Sequence, residues 1–235
     1  YKGQAIYGVG GGITWDSTWE SEYREVQQKA AVLYRKQPRF QLITTGKISQ
    51  KKLLFEKQHL ERLQKASRYF AFPFDQEVLR QKIEKEYQSC DIRQDYRIRI
   101  SLSKSGEIEI ERQVLTPLNS SFCQAKLCLQ EADLEQAFTY FKTTHRPHLT
   151  VGEQEIIYHT ADGKMLETSI GNLVLKMDGK LYTPPSTLGL LPGIYRQHLL
   201  ENGQVEEKVL TVEDLKEAEV IYACNAVRGL YELKI

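Results

Sequence analysis

Lys142 sits in the segment YFKTTHRPH, behind an aromatic pair and ahead of two hydroxyl residues and His145-Arg146. A lysine that projects from a strand end into a cleft beside a second cation loses part of its proton affinity, as an amine nucleophile toward a carbonyl requires. The same residues also read as a solvated lysine beside a turn. Glu167, in LETSIGN, precedes hydroxyls and a glycine and leads into the apolar run LVLKM. It is either a cap or surface carboxylate, or an anion that keeps a heterocyclic nitrogen protonated so that the ring becomes an electron sink. LGLLPGIYR turns at Pro192-Gly193 and enters a helix at Ile194. Backbone N–H groups at such a start bind phosphate, although many Pro-Gly turns start helices and bind nothing. His59 and Arg62 stand three apart in KQHLERLQKAS, on one helical face. The arginine there is a forked phosphate ligand or part of an exposed charged face. In CNAVRGL, Asn225 and its small neighbours form a further backbone cradle or a plain turn.

Those residues need elements to hold them. TWESEYREVQQKAAVLYRK carries Trp19, Tyr23, Val26, Ala30 and Leu33 at spacings of three and four, an amphipathic helix with Ser17 or Thr18 as N-cap, ended by Pro38. FQLITTGKIS reads as a strand and turn. KKLLFEKQHLERLQKASRYFAF and QEVLRQKIEKEYQSC read as helices. DYRIRISLSKSGEIEIERQVL alternates around Lys104-Ser105-Gly106, a hairpin signal that puts Arg97 and Arg99 on one strand face. Beyond TPLNSS come short strands (AKLCLQ, EIIYHT, NLVLKM, KLYTP, VIYACN, LYELKI) and two helices, GIYRQHLLENG and VEDLKEAE. The expected organisation is a foreign segment at 1–38, a small α/β lobe at 39–115, a connector at 116–121 and a larger lobe at 122–235. The fold class is α/β (α+β) with two lobes and a cleft between them.

Composition narrows the function. With 235 residues, 41% of them hydrophobic, and 32 Lys+Arg against 31 Asp+Glu, the chain can bury a core and offers no global charge for nucleic acid. No apolar run approaches the ~20 residues of a membrane-spanning helix. Cys90, Cys123, Cys128 and Cys224 form no CxxC pair and have no metal-ligand spacing, so neither a metal site nor a disulfide framework is expected, and a reducing cytoplasm fits. The start at Tyr1 and the glycine-rich opening read as a piece of a longer polypeptide.

Taken in order, HLERL, KTTHR, LETSIGN, TPPSTLGLLPGIYR and NAVRGL resemble the signature segments of the fold-type-IV pyridoxal-phosphate enzymes, and within that class are most similar to the aminodeoxychorismate lyases. The resemblance covers roughly residues 40–235. It implies pyridoxal 5'-phosphate held in the cleft, joined through Lys142, which later moves the proton. Glu167 would pair with the pyridine nitrogen, and Arg62 would grip the phosphate with the backbone N–H groups of Ile194 and Tyr195 and the Asn225-Ala226 turn. Asn172 would fix the loop that carries Glu167. Thr45 matches a threonine that faces the cofactor and assists proton transfer. The implied reaction converts 4-amino-4-deoxychorismate to p-aminobenzoate and pyruvate. Arg146 is the first candidate for a substrate carboxylate, with His145 and Arg99 beside it, while Arg97 and Arg99 also read as structural.

The opening segment YGVGGGITWDSTWESEYREVQQKA resembles the C-terminal end of chorismate-binding synthases, in which a glutamate of the Glu22/Glu25 pair helps to hold magnesium. That likeness implies a fused synthase–lyase polypeptide, with a glutamine amidotransferase as a further partner. A homodimer is implied by the lyase resemblance. The chain also departs from the pattern. Only 25 positions separate Lys142 from Glu167, which leaves little room for the helix usual there. Ala226 stands where some relatives have a hydroxyl, and Thr44 where many transaminases place glutamate. A transaminase for D- or branched-chain amino acids, and a non-catalytic module serving synthase assembly, are the alternatives.

Overall fold

The structure, a computed structural model, describes residues 6–34, 38–118, 120–130 and 136–235. Parts of the expected 1–38 segment (1–5 and 35–37) and Asn119 of the expected connector lie outside the described residues. The chain divides into two compact units, Tyr1–Arg39 and Phe40–Ile235.

In the first unit, helix α1 runs over Trp19–Tyr34. Thr18 Oγ1 accepts from the Ser21 N–H at 3.2 Å, so Thr18 caps it. The glycine-rich stretch folds back on this helix: Lys29 Nζ donates to the Gly10 carbonyl at 3.0 Å and pairs with Glu25 at 2.5 Å. Trp15, Trp19 and Tyr23 stay exposed, and among the described residues none of this unit joins a buried apolar cluster.

The second unit starts with strand β1, Leu42–Ser49, and the short β2, Lys52–Leu53. Helices α2, Glu56–Phe70, and α3, Gln76–Ser89, follow, the latter capped by Asp75 Oδ1 on the N–H groups of Glu77 and Val78. Strands β3, Tyr96–Leu102, and β4, Ile108–Val114, make the expected hairpin. Its turn uses Gly106 at φ +89, a conformation in which a side chain is strained. The four strands form one sheet in the order β2-β1-β3-β4. Strand alternation divides its faces: Ile98 and Ile100 of β3 join Leu60 and Leu63 of α2 and Leu79 and Ile83 of α3 in the core. Arg97 and Arg99 between them point the other way.

Strands β5 (Phe122–Leu129), β6 (Glu155–His159), β7 (Met165–Thr168), β8 (Asn172–Met177), β9 (Lys180–Thr183), β10 (Glu206–Glu207), β11 (Val220–Asn225) and β12 (Gly229–Lys234) form the second sheet. Its order is β10-β9-β8-β11-β12-β5-β6-β7, and β7 also pairs with β8, so six of the strands close into a ring. Helices α4 (Gln136–Tyr140), α5 (Ile194–Glu201) and α6 (Val212–Glu217) complete the unit. No helix forms between Thr143 and Glu153, in keeping with the short run from Lys142 to Glu167. The elements not anticipated include β2, which lies within a stretch expected to be helical, β10, β7 and α4. All four residues of β7 are buried, so the strand lacks the alternation that marks a half-exposed one, and α4 is too short to show a helical period. No helix of the described residues is long and apolar enough to cross a membrane.

Helix α2 lies close on β1. A Cβ at Gly46 would stand 2.6 Å from His59 Nε2 and 2.9 Å from Leu53 Cδ1. Gly46→Ala should therefore destabilise the protein by about 1–3 kcal/mol, the usual effect of overpacking, as measured by the urea midpoint. An unchanged midpoint would mean that α2 is not held against β1.

Candidate active site

A cavity of about 630 Å³ opens between the two sheets, within the size range of small-molecule sites. It is lined from β1 by Thr45, from β3 by Arg97 and Arg99, from α2 by Arg62, and by Lys142 and Arg146. Glu167, Asn172, Ile194, Asn225, Ala226 and Arg228 line the opposite wall.

Lys142 reaches this cavity because its own backbone is zipped to β1. The Ile43 N–H donates to the Lys142 carbonyl at 2.9 Å, the Thr144 N–H donates to the Gln41 carbonyl at 2.9 Å, and Leu42 and Thr143 form an antiparallel bridge. The segment thus runs as a short extra strand on β1, where Thr45 also faces the cavity. Burial and the cations Arg62, Arg146 and Arg97 bring the Lys142 amine down to about 7, opposed by Glu167. The reading of Lys142 as a solvated surface lysine does not hold.

Glu167 is 3% exposed on β7. It is paired with Asn172 in the antiparallel register of β7 and β8. The turn between them is tied by Thr168, whose N–H and hydroxyl donate to the Gly171 carbonyl at 2.9 and 3.1 Å. Burial pushes the Glu167 carboxyl up from the ordinary range, while the nearby Arg146 charge and the Leu191 N–H pull it back. Arg146 Nη2 and the Leu191 N–H both donate to Oε1, at 3.0 and 3.2 Å. No donor among the described residues occupies Oε2, which leaves one oxygen for a ligand.

Asn172 Nδ2 donates to the Leu191 carbonyl at 2.8 Å, and a Cβ on Gly193 would collide with Asn172 Oδ1. This pins the turn that starts α5. The helix has Gly193 at its N-cap and no side chain capping it, so its first N–H groups lack an internal acceptor where Gly193 and Ile194 line the cavity. Arg62 Nη2 donates to the Pro192 carbonyl at 2.7 Å, beside that helix start. Burial and the neighbouring Arg146 bring its guanidinium down to about 10, with Glu167 acting the other way. Asn225 Oδ1 accepts from the Val227 and Arg228 N–H groups at 2.9 Å each, so its side chain shapes the turn and leaves contacts at this end to the backbone. The donor set suits a phosphorylated pyridine aldehyde: an arginine and a bare helix N-terminus at one end, a lysine of low basicity, and a carboxylate with one open oxygen.

Not every expected residue lies on the cavity. His145 packs edge-on against Phe138 at 4.9 Å and is not in the lining. The Tyr195 side chain packs edge-on against Phe55 at 6.0 Å and is not in the lining either. Arg146 lines the cavity but is committed to Glu167 rather than free for substrate. His59 is no part of an exposed face: it is buried, with Nδ1 at 2.6 Å from Thr44 Oγ1, and burial together with Arg62 and Lys142 brings it down to about 3. Arg228 escaped the sequence reading. It lies in NAVRGL, two residues after Ala226, and its Nη1 donates to the Thr116 carbonyl at 3.1 Å.

The profile described as amino-transferase class IV matches residues 41–234, and that described as chorismate binding enzyme matches residues 1–35. An uncharacterized protein of Haemophilus influenzae is 38% identical over 69 residues, which span 29% of this chain and 36% of that relative. A Schizosaccharomyces pombe protein named "Putative aminodeoxychorismate lyase" is 23% identical over 185 residues, spanning 72% of this chain and 79% of the relative. The crystal structure of a "Putative amino-acid aminotransferase" from Mesorhizobium loti matches with a TM-score of 0.73 at 26% identity, over 83% of this chain and 99% of that one.

The depressed amine gives a direct test. Reactivity of Lys142 toward a small acylating reagent, followed by peptide mass, should rise through a midpoint near pH 7, well below that of the exposed lysines. Because the unfolded chain holds this proton up to the ordinary lysine value of 10.5, stability should also increase as pH rises between those limits. Lys142→Met should remove that part of the slope. A reactivity midpoint shared with the surface lysines would refute the burial argument.

Proposed function

The chain belongs to the amino-transferase class IV family, whose cofactor is pyridoxal 5'-phosphate, and from that premise we propose that it is a lyase splitting 4-amino-4-deoxychorismate into p-aminobenzoate and pyruvate. The charge of the cavity carries this reading. Five arginines and Lys142 line it against one carboxylate, Glu167. Arg62 and the α5 start suit the cofactor phosphate, and Arg146 is neutralised by Glu167. Arg97, Arg99 and Arg228 have no carboxylate partner among the described residues, and a dicarboxylate substrate answers that excess better than an amino acid with one carboxylate. Thr44, where many transaminases of the class carry glutamate, is buried against His59 and adds no negative charge.

When bound, pyridoxal phosphate supplies a carbonyl for the substrate amine and a ring that takes up electrons. The protein supplies position and proton transfer. Lys142 Nζ, with a value near neutrality, takes the proton from the carbon that bears the amine. Loss of that proton lets the neighbouring C–O bond break, so that enolpyruvate leaves and the six-membered ring becomes aromatic. Thr45 Oγ1 or Lys142 Nζ then protonates the enolpyruvate carbon to give pyruvate. Glu167 would meet the ring nitrogen, and Arg97, Arg99 and Arg228 would hold the two carboxylates.

Transamination is the second reading, favoured by the Mesorhizobium loti likeness; it would turn amino acids into oxo acids and leave the cofactor as an amine. The chorismate-binding match over residues 1–35 supports a synthase–lyase fusion, so that this reaction consumes the neighbouring synthase's product. A homodimer, a glutamine amidotransferase partner and a cytoplasmic location belong to the same proposal. Residues gathered in one charged cavity argue against a non-catalytic module.

Full-length protein given pyridoxal phosphate should show a visible absorbance band that borohydride abolishes, with the label on Lys142. Lys142→Ala should lose the band and the turnover. Thr45→Ala should keep the band and slow pyruvate release by about 100-fold or less, the low end for a lost proton donor because Lys142 shares the role. Turnover retained in Lys142→Ala would sink the mechanism, and oxo-acid formation without pyruvate would select the transaminase.

A further inference from the structure

Resting on the reading that Glu167 serves the ring nitrogen of the cofactor, we propose that Arg146 is a positioning residue that keeps Glu167 an anion with one oxygen turned into the cavity. Arg146 Nη2 and the Leu191 N–H converge on Oε1, at 3.0 and 3.2 Å, and no donor among the described residues sits on Oε2. The pair is withdrawn from water, with the arginine side chain 14% exposed and the glutamate 4%. In such surroundings a carboxylate deprived of its cation is driven to the neutral acid. A neutral acid lacks the charge that stabilises a protonated ring nitrogen and shares its own proton with a neutral one instead, so the ring would draw electrons weakly. Arg146 therefore governs the strength of the electron sink without touching substrate or cofactor.

The backbone around Arg146 makes this a fixed arrangement. Its segment begins at the Leu42–Thr143 bridge, Thr143 Oγ1 donates to the His145 carbonyl at 2.9 Å, and the Leu149 N–H donates to the Arg146 carbonyl at 3.1 Å. Two other charges act on or near Glu167: Lys142, from the same segment, and Arg62 of α2. Neither is hydrogen-bonded to it. Held in this way, the Arg146 guanidinium is unavailable for a substrate carboxylate, which leaves that work to Arg97, Arg99 and Arg228.

The test uses full-length protein without cofactor. Infrared difference spectra between each protein and its Glu167→Gln counterpart isolate the Glu167 carboxyl stretch, and a pH titration gives its midpoint. Arg146→Gln should raise that midpoint by at least one pH unit, about a tenfold change in proton affinity, and Arg146→Lys should bring it most of the way back. Where Arg146→Gln does not fold, Arg146→Met, of similar length and without charge, replaces it. Equal midpoints in wild type and the uncharged variant overturn the proposal, as does a lysine variant that behaves like the uncharged one. Cofactor and substrate are absent, so a failed lyase assay leaves these titrations unaffected, and their failure does not touch the lyase assay.

Discussion

The site turns on burying one carboxylate among cations. Glu167 would be the neutral acid if it were alone in that cavity wall, and the cations around it would repel one another if it were removed. Paired with Arg146 and the Leu191 N–H, it neutralises one of those cations and keeps an oxygen free. The low basicity of Lys142 and the reduced basicity of Arg62 belong to the same group of charges, since each is pushed down by burial and by neighbouring cations and lifted by Glu167.

Two pieces of backbone pairing hold those charges in place. The β7–β8 hairpin closes the second sheet into a ring and sets Glu167 opposite Asn172, which in turn anchors the Leu191–Gly193 turn. The Lys142 segment is laid on β1 of the first sheet, which brings its amine to the strand that carries Thr45. Each pairing supplies one wall, and the arginines of β3 fill the gap between them. Their direction follows from strand alternation, because Ile98 and Ile100 are drawn to the helices on the other face.

Much of this was legible in the residues. The Arg97–Ile98–Arg99–Ile100 alternation marked a strand with one charged and one apolar face, and the structure bears that out. Helices α3 and α5 and the Gly106 hairpin fell where periodicity and turn chemistry put them, and α2 did so only from Glu56 onward, since Lys52–Leu53 pairs with β1 as a strand. Strand β7 was not legible, because its four residues are all buried and a strand without an exposed face has no alternation to read. His59 misled for a related reason: three-residue spacing puts it on the Arg62 side of the helix, yet the sheet packed beneath α2 covers it and leaves Arg62 at the cavity.

By itself the sequence determined which chemistry was at hand: a lysine after an aromatic pair, a glutamate before a tight turn, and a Pro-Gly helix start, in an order shared with one enzyme class. Local propensity and residue order are properties of the chain, so they can be read from it. Which charge neutralises which was decided only in the folded molecule. Arg146 and Glu167 lie 21 positions apart and meet at 3.0 Å because a strand bridge and a ring closure converge. Arg228 joins the cavity through a turn that gave no reason to single it out. Pairing of charges depends on distance and burial, and both are set by contacts between segments remote in sequence.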